Sequence, residues 1–154
     1  MLNIRKTTDE SLIYDCVTHP KNWNAVTDDG APYPELYFPD ISDRNIWLEV
    51  ADGKKSLGVF LAEPHGVACR IAHSALLPSA HGVGAEVSQL AIQWLFVNTD
   101  CMRIIAWVPE YNRLAIRMAL NSGLQQCGIN DKSFLKNNNL YDLLLFGISK
   151  KAQG

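Results

Sequence analysis

The stretch from Leu76 to Val87, LLPSAHGVGAEV, sets a proline and two glycines in a G-x-G arrangement between an apolar run and a run with helical spacing. Glycines at such a junction let the backbone close around an anion. The N–H groups of Gly82, Val83, Gly84 and Ala85 would donate to it, with the positive end of the following helix dipole behind them. The chemistry suits a phosphate; a tight turn that uses glycine only for its backbone angles is the plainer alternative. Glu86 stands two residues after Gly84 and works against an anion. Two like charges about 5 Å apart cost ~3 kcal/mol at an effective dielectric of 20, and the helix dipole returns only ~0.3–1 kcal/mol. Glu86 could equally be a first-turn acid stabilising an empty helix N-terminus. His73, in the strand-like VACRIAHSALLP, could as a neutral imidazole accept a proton. Its alternative is a half-buried strand histidine bonded to its neighbours, while Glu63 and His65 fall at the preceding turn and should face solvent.

These residues need elements to hold them. Alternation in LNIRK predicts a first strand. TTDESLIYDCVTH predicts a helix with Thr7 or Thr8 as N-cap and Leu12, Ile13, Cys16 and Val17 on one face, ended by Pro20. A second short helix and an irregular loop follow to Asp43. NIWLEV and KSLGVFLAE flank an Asp52-Gly53 hairpin turn, and VACRIAHSALLP makes a third antiparallel strand. Val87, Leu90, Ala91, Trp94 and Leu95 predict an amphipathic helix of about three turns. MRIIAWV reads as a buried strand, NRLAIRMALNSG as a helix stopped by Gly123, and LQQCGI and LYDLLLFGI as a closing hairpin around the polar loop NDKSFLKNNN. Trp94 and Trp107 read as core, and Trp23 as either a cover for a substrate or an anchor for its loop. The order implies one α/β domain over residues 1–150, with a short polar tail at 151–154. Its sheet is mixed, because strand–helix–strand passages around residues 70–108 require parallel neighbours.

With 154 residues, 47% hydrophobic and a net charge of −2, the chain has the composition of a globular domain without a general attraction to nucleic acid or membrane. The four cysteines form no C-x-x-C pair, so no metal site is expected, and mostly buried free thiols are. No secretion signal or ~18-residue apolar span is present, which points to a cytoplasmic protein.

Two segments, correctly placed in this order, resemble the GNAT superfamily of acyl-CoA-dependent N-acetyltransferases. Pro78, Gly82 and Gly84 match its pyrophosphate loop, and Asn112, Ala115, Ile116, Gly123, Leu124 and Gly128 match a second segment at the same spacings. The resemblance implies a GNAT-like α/β fold, a central mixed, mostly antiparallel sheet flanked by helices. It implies acetyl-CoA as cofactor, an amine as acceptor, and Leu76, Leu77, His81, Gly82, Val83, Gly84, Ala85 and Asn112 as cofactor-binding residues. His73 would be the base. A tyrosine that protonates the departing thiolate in many members is replaced by Ala119, leaving Tyr111 or Tyr141 to substitute. Aligned on Pro78, His81 takes the position of the family's Arg or Gln and Glu86 that of its last small residue; aligned on the helix pattern, Ser79 takes the first and Glu86 moves into the helix. Arg113 and Arg117 fall where phosphates could reach. A second implication comes from a likeness to compact GNAT-like bacteriophage proteins, some named for head assembly: a domain without chemistry whose partner is a phage structural protein, in the host cytoplasm. A homodimer is compatible with either.

Overall fold

The computed structural model describes residues 1–151, so all of the expected polar tail except Lys151 lies outside the described residues. The chain runs β1 (Leu2–Lys6), α1 (Glu10–Thr18), α2 (Pro20–Val26), β2 (Ile46–Asp52), β3 (Lys55–Pro64), β4 (Cys69–Leu76), α3 (Gly84–Asn98), β5 (Arg103–Pro109), α4 (Arg113–Asn121), β6 (Gln125–Lys136) and β7 (Asn139–Ser149). Seven strands form one sheet in the order β1-β2-β3-β4-β5-β7-β6, antiparallel throughout except at β4–β5. The single parallel pair follows from the α3 crossover, as expected.

The apolar spacing of α1 puts Ile13 and Cys16 fully out of solvent against Trp47, Val59 and Ala75. Burial pushes the Cys16 thiol up to about 11. The N-cap is Asp9, whose carboxylate accepts from Leu12 N–H at 3.1 Å, and neither threonine; Thr7 instead accepts from the Asp9 N–H. Pro20 both ends α1 and opens α2 as its first residue. On the opposite face α3 buries Val87, Ala91 and Leu95 against Leu48, Val50, Phe60 and Ile104. With 15 residues it has about four turns, one more than expected. Trp94 packs against this core, but Trp107 is 40% exposed, a correction to its expected burial: α1 packs over β3 and β4, and Trp107 lies past their edge on β5. The cysteines also depart from expectation. Cys16 and Cys101 are buried, Cys69 is half-buried and Cys127 is exposed.

The closing hairpin is longer than the sequence suggested. NDKSFLK belongs to β6, with an irregularity between Asn130 and Phe134, and the turn is only Asn137 and Asn138, at φ 51° and 61°. Asparagine tolerates this left-handed conformation, which matches the twist of a two-residue hairpin turn.

Candidate active site

β4 stays paired with β3 to its end, Gly58 opposite Leu76, while β5 stays paired with β7 from Arg103 to Pro109. Between β4 and β5 the register holds only for Cys69–Ile71 against Arg103–Ile105. Beyond those three pairs the strands part, and the sheet opens into a wedge between Ala72–Leu76 and Ala106–Pro109. The Asn22 amide holds one wall, donating to the Cys16 carbonyl at 2.8 Å and the Leu76 carbonyl at 2.9 Å. A cavity of about 450 Å³ fills the wedge and passes through the sheet. On one side it meets Val17, Val26 and Tyr37, on the other Ser88, Met118, Ala119 and Ser122.

At the open end of the wedge the chain makes a 3-10 turn over Pro78–Ala80 and enters α3 at Gly84. The glycines have different reasons to be there. Gly82 has φ +87° and open space where a side chain would stand; a Cβ on Gly84 would meet Met118 Sδ at 3.1 Å, so this glycine lets α3 approach α4. α1, α2 and α4 each carry a side-chain cap, and α3 has none. No backbone bond takes the N–H of Gly84, Ala85 or Glu86, whereas Val83 N–H donates to the Ala80 carbonyl and His81 N–H to the Pro78 carbonyl. No backbone bond takes the Gly82 N–H either, so of the expected donors Gly82–Ala85 only Val83 is engaged, and Glu86 adds a further free N–H. Glu86 is exposed in the first turn of α3, as in the alignment on the helix pattern.

Of the other residues singled out from the sequence, Leu76 and Leu77 have much of their backbone engaged. The Leu76 carbonyl accepts from Asn22, Leu77 N–H donates to Leu57, and the Leu77 carbonyl accepts from Ala80. His81 is exposed on the loop. Asn112 lines the cavity and caps α4, its Oδ1 accepting from Ala115 N–H at 3.2 Å. Tyr111 packs edge-on against Tyr141, ring centroids 4.9 Å apart, with its hydroxyl buried and unpartnered; it is not among the residues lining the cavity. Burial, and then Tyr141, hold its phenol above the usual value. Arg113 and Arg117 share a shallow exposed groove with Glu110. Ala119 is buried and lines the cavity.

His73 lies in β4 on the α1/α2 side, and its Nε2 is 2.5 Å from Glu63 Oε1 in β3. Both line the cavity, so His73 is partnered, although more exposed than the half-buried strand residue expected, and Glu63 is part of the site rather than of the solvent-facing turn. His65 is exposed. Tyr37 lines the cavity nearby; burial, and then the Glu63 charge, push its phenol up to about 12. Sequence reasoning missed Tyr37 and Asn22, and set Glu63 facing solvent, because their partners lie on other elements. The predicted adjacency of the two antiparallel strands was the one signal available; the Leu61–His73 pairing that sets Glu63 diagonally across from His73 is seen only in the structure. Trp23 is the anchor of the two readings, buried edge-on against Tyr37. Among the described residues no group of three or more His, Cys, Asp or Glu is gathered for a metal, and no helix is long and apolar enough to cross a membrane.

The fold as a whole recurs in solved structures. Spermidine N-acetyltransferase from Vibrio cholerae, in complex with CoA and spermine, superposes with a TM-score of 0.79 over 96% of this chain and 95% of that one, at 16% identity. The chain has the fold of an N-acetyltransferase. A protein provisionally described as a phosphinothricin N-acetyltransferase superposes with a TM-score of 0.74 over 99% and 100% of the two chains, at 16% identity. A point mutant of the Vibrio cholerae enzyme gives 0.75 over 96% and 93%, at 19%. No protein-family model and no curated protein matches the sequence. The GNAT acyltransferase fold expected from the two segments is therefore the fold of this chain.

Proposed function

We propose that the protein transfers an acyl group from an acyl-coenzyme A, acetyl-CoA in the simplest case, to an amine. The observation that carries this reading is the cavity in the β4–β5 split, which reaches Ser88 of α3 and Ala115, Met118 and Ala119 of α4 on one side, one turn from the uncapped start of α3, and an acid–imidazole pair on the other; Leu76–Glu86 do not themselves line it. The residues present fit a coenzyme. The free N–H groups of Gly84, Ala85 and Glu86 suit a pyrophosphate, Gly82 leaves open space beside them, and Asn112 borders the passage. The thioester would supply an activated acyl carbon.

The chain's own contribution is to position and to move protons. His73 takes the proton that the amine must lose. Ala119 has no proton to give, and Tyr111, with its buried unpartnered hydroxyl, is the phenol left near the start of α4. Leu76, Leu77, His81 and Val83 then shape the loop, while donation falls to the next residues. The protein would act as a soluble cytoplasmic enzyme.

Calorimetric titration with acetyl-CoA tests this reading. Binding by the parent that is lost in Ala85→Glu, which sets a carboxylate among the free N–H groups, is the expected result; an Ala85→Glu variant that binds as well as the parent rejects the proposed pyrophosphate position. A second reading, a GNAT-shaped partner of a phage structural protein without chemistry, is favoured by the lost acid at Ala119 and by exposed Leu114, Leu120, Ile129 and Leu140. Parent protein that binds no acetyl-CoA would support it.

A further inference from the structure

The α1/α2 side of the passage is chemically narrow. Among the described residues lining the cavity, Glu63 is the one carboxylate, and none is lysine or arginine. Of the acids in the loop between α2 and β2, Asp28 accepts from Gly30 N–H, Asp29 from Asn137 and Asn138 N–H, and Asp40 from Ser42 N–H, while Glu35 and Asp43 are exposed to solvent. None of them lines the cavity. The walls around Glu63 and His73 on this side are Val17, Val26, Tyr37, Leu61, Trp107 and Phe134, aliphatic and aromatic. The Asn22 amide is already committed twice to carbonyls.

At 2.5 Å from a carboxylate oxygen, Nε2 of His73 is the ring nitrogen on which the Glu63 charge favours the hydrogen. The neutral ring is thereby left with its lone pair on Nδ1. We infer that the acceptor is a monoamine with an apolar body, its single ammonium held by Glu63 and His73 and its body lying against the aliphatic and aromatic walls. This deepens the acyl-transfer reading and rests on it. One proton passes from the ammonium nitrogen to Nδ1, and the N–H electron pair remains on the amine as its nucleophilic lone pair. The resulting imidazolium is paired with the Glu63 carboxylate, so the pair as a whole carries no net charge. Glu63 is thus both a specificity determinant and the positioning residue that sets the histidine tautomer. A polycation such as spermine finds one carboxylate here and apolar wall where its further charges would lie.

Calorimetry on the full chain with 2-phenylethylamine, 2-phenylethanol and spermine, each with a parallel acetyl-CoA titration, tests this. The parent is expected to bind the amine about tenfold or more tightly than the alcohol or spermine, as one charge-assisted hydrogen bond provides. Glu63→Gln should bring the amine to the level of the alcohol while acetyl-CoA binding is unchanged, and Glu63→Asp should keep part of the difference. The His73 ring C–H resonance should shift on adding the amine to the parent and not to Glu63→Gln. Spermine binding more tightly than 2-phenylethylamine, equal amine binding by Glu63→Gln, or no amine binding by the parent overturns the inference. Should Glu63→Gln fail to fold, the amine-to-alcohol contrast in the parent and the Glu63→Asp variant decide it. Glu63-dependent amine binding without acetyl-CoA binding keeps the ammonium site and rejects the acyl-transfer reading; acetyl-CoA binding without amine binding does the reverse.

Discussion

Gly58 determines where the tip of β4 lies, and so where the split begins to widen. At φ +140°, with Leu57 left out of register between Val50 and Ala51, it faces β4 so closely that a Cβ would stand 2.6 Å from the Ala75 carbonyl oxygen and 2.6 Å from Leu76 Cα. Both obstacles are backbone and cannot swing aside. Gly58→Ala is expected to lower stability by about 2–3 kcal/mol. Gly82→Ala, strained at φ +87° but with open space, should lower it by about 1 kcal/mol. Thermal melts check the order, and a Gly58→Ala protein melting with the parent would remove this account of the split. Glu86, exposed beside three free N–H groups, is expected to weaken anion binding modestly, because solvent screens it. Glu86→Gln should raise acetyl-CoA affinity by up to about fivefold, about 1 kcal/mol, by calorimetry. The glycines of LLPSAHGVGAEV were legible as a turn because a proline precedes them and a helical pattern follows. Gly58 was not, since KSLGVFLAE alternates like any strand and nothing in it reports how near the next strand comes. Trp107 misled for the same reason: an apolar run tells that a strand is buried somewhere, but not where the covering helix ends.

Among the elements, the β6–β7 hairpin is tied down by one carboxylate. Asp29 accepts from the N–H groups of Asn137 and Asn138 at 2.9 and 3.0 Å, its own N–H donates to the Leu135 carbonyl, and Lys136 Nζ donates to the Thr27 carbonyl at 2.6 Å. This latch joins the end of α2 to the tip of the hairpin that carries Phe134 over the cavity. The two backbone donors, that of Asn138 first, hold the Asp29 carboxyl below the usual carboxylate range. A folded-state value below the unfolded one means that the latch contributes fully above the unfolded value, near ~3.9, and is lost as pH falls through the folded value. Hydrogen exchange at residues 134–140 is therefore expected to be slow near neutrality and to rise, beyond the intrinsic rate, only below about pH 4. Asp29→Asn should raise it above about pH 4 and flatten that acid response. Unchanged exchange in Asp29→Asn would show that Lys136 and the hairpin's own pairing suffice. The sequence announced this hairpin through LYDLLLFGI but placed its loop across NDKSFLKNNN, because polar residues on an exposed edge strand look like loop residues. Only the bend at Asn130–Phe134, which turns Phe134 inward, explains why so polar a strand persists.

At the scale of the molecule the sheet is two antiparallel ribbons, β1 to β4 and β5-β7-β6, joined by three parallel register pairs and by α3, which packs against both β2–β3 and β5. The strand–helix–strand order made the parallel junction legible. Its brevity was not, because the length of pairing depends on where β3 and β7 hold their neighbours. The passage between the ribbons is where a group bound on the α3/α4 side can meet one bound on the α1/α2 side, so blocking it should separate binding from transfer. Ala119, buried on α4 and facing the cavity, is the position at which to do so. Ala119→Phe adds a ring where about 450 Å³ of space adjoins it, so the overpacking cost should stay near the low end, about 1 kcal/mol, or about 2–4 °C in melting temperature. 2-Phenylethylamine binding at Glu63 and His73, on the other side of the sheet, should persist within about twofold, since Ala119 is remote from the ammonium contact. Release of free CoA thiol from acetyl-CoA in the presence of the amine should fall by at least the ~10² expected when reacting groups are kept from alignment. If the variant turns over like the parent, the two ligands do not meet through the split, and the reaction path must run over the edge of β4 instead.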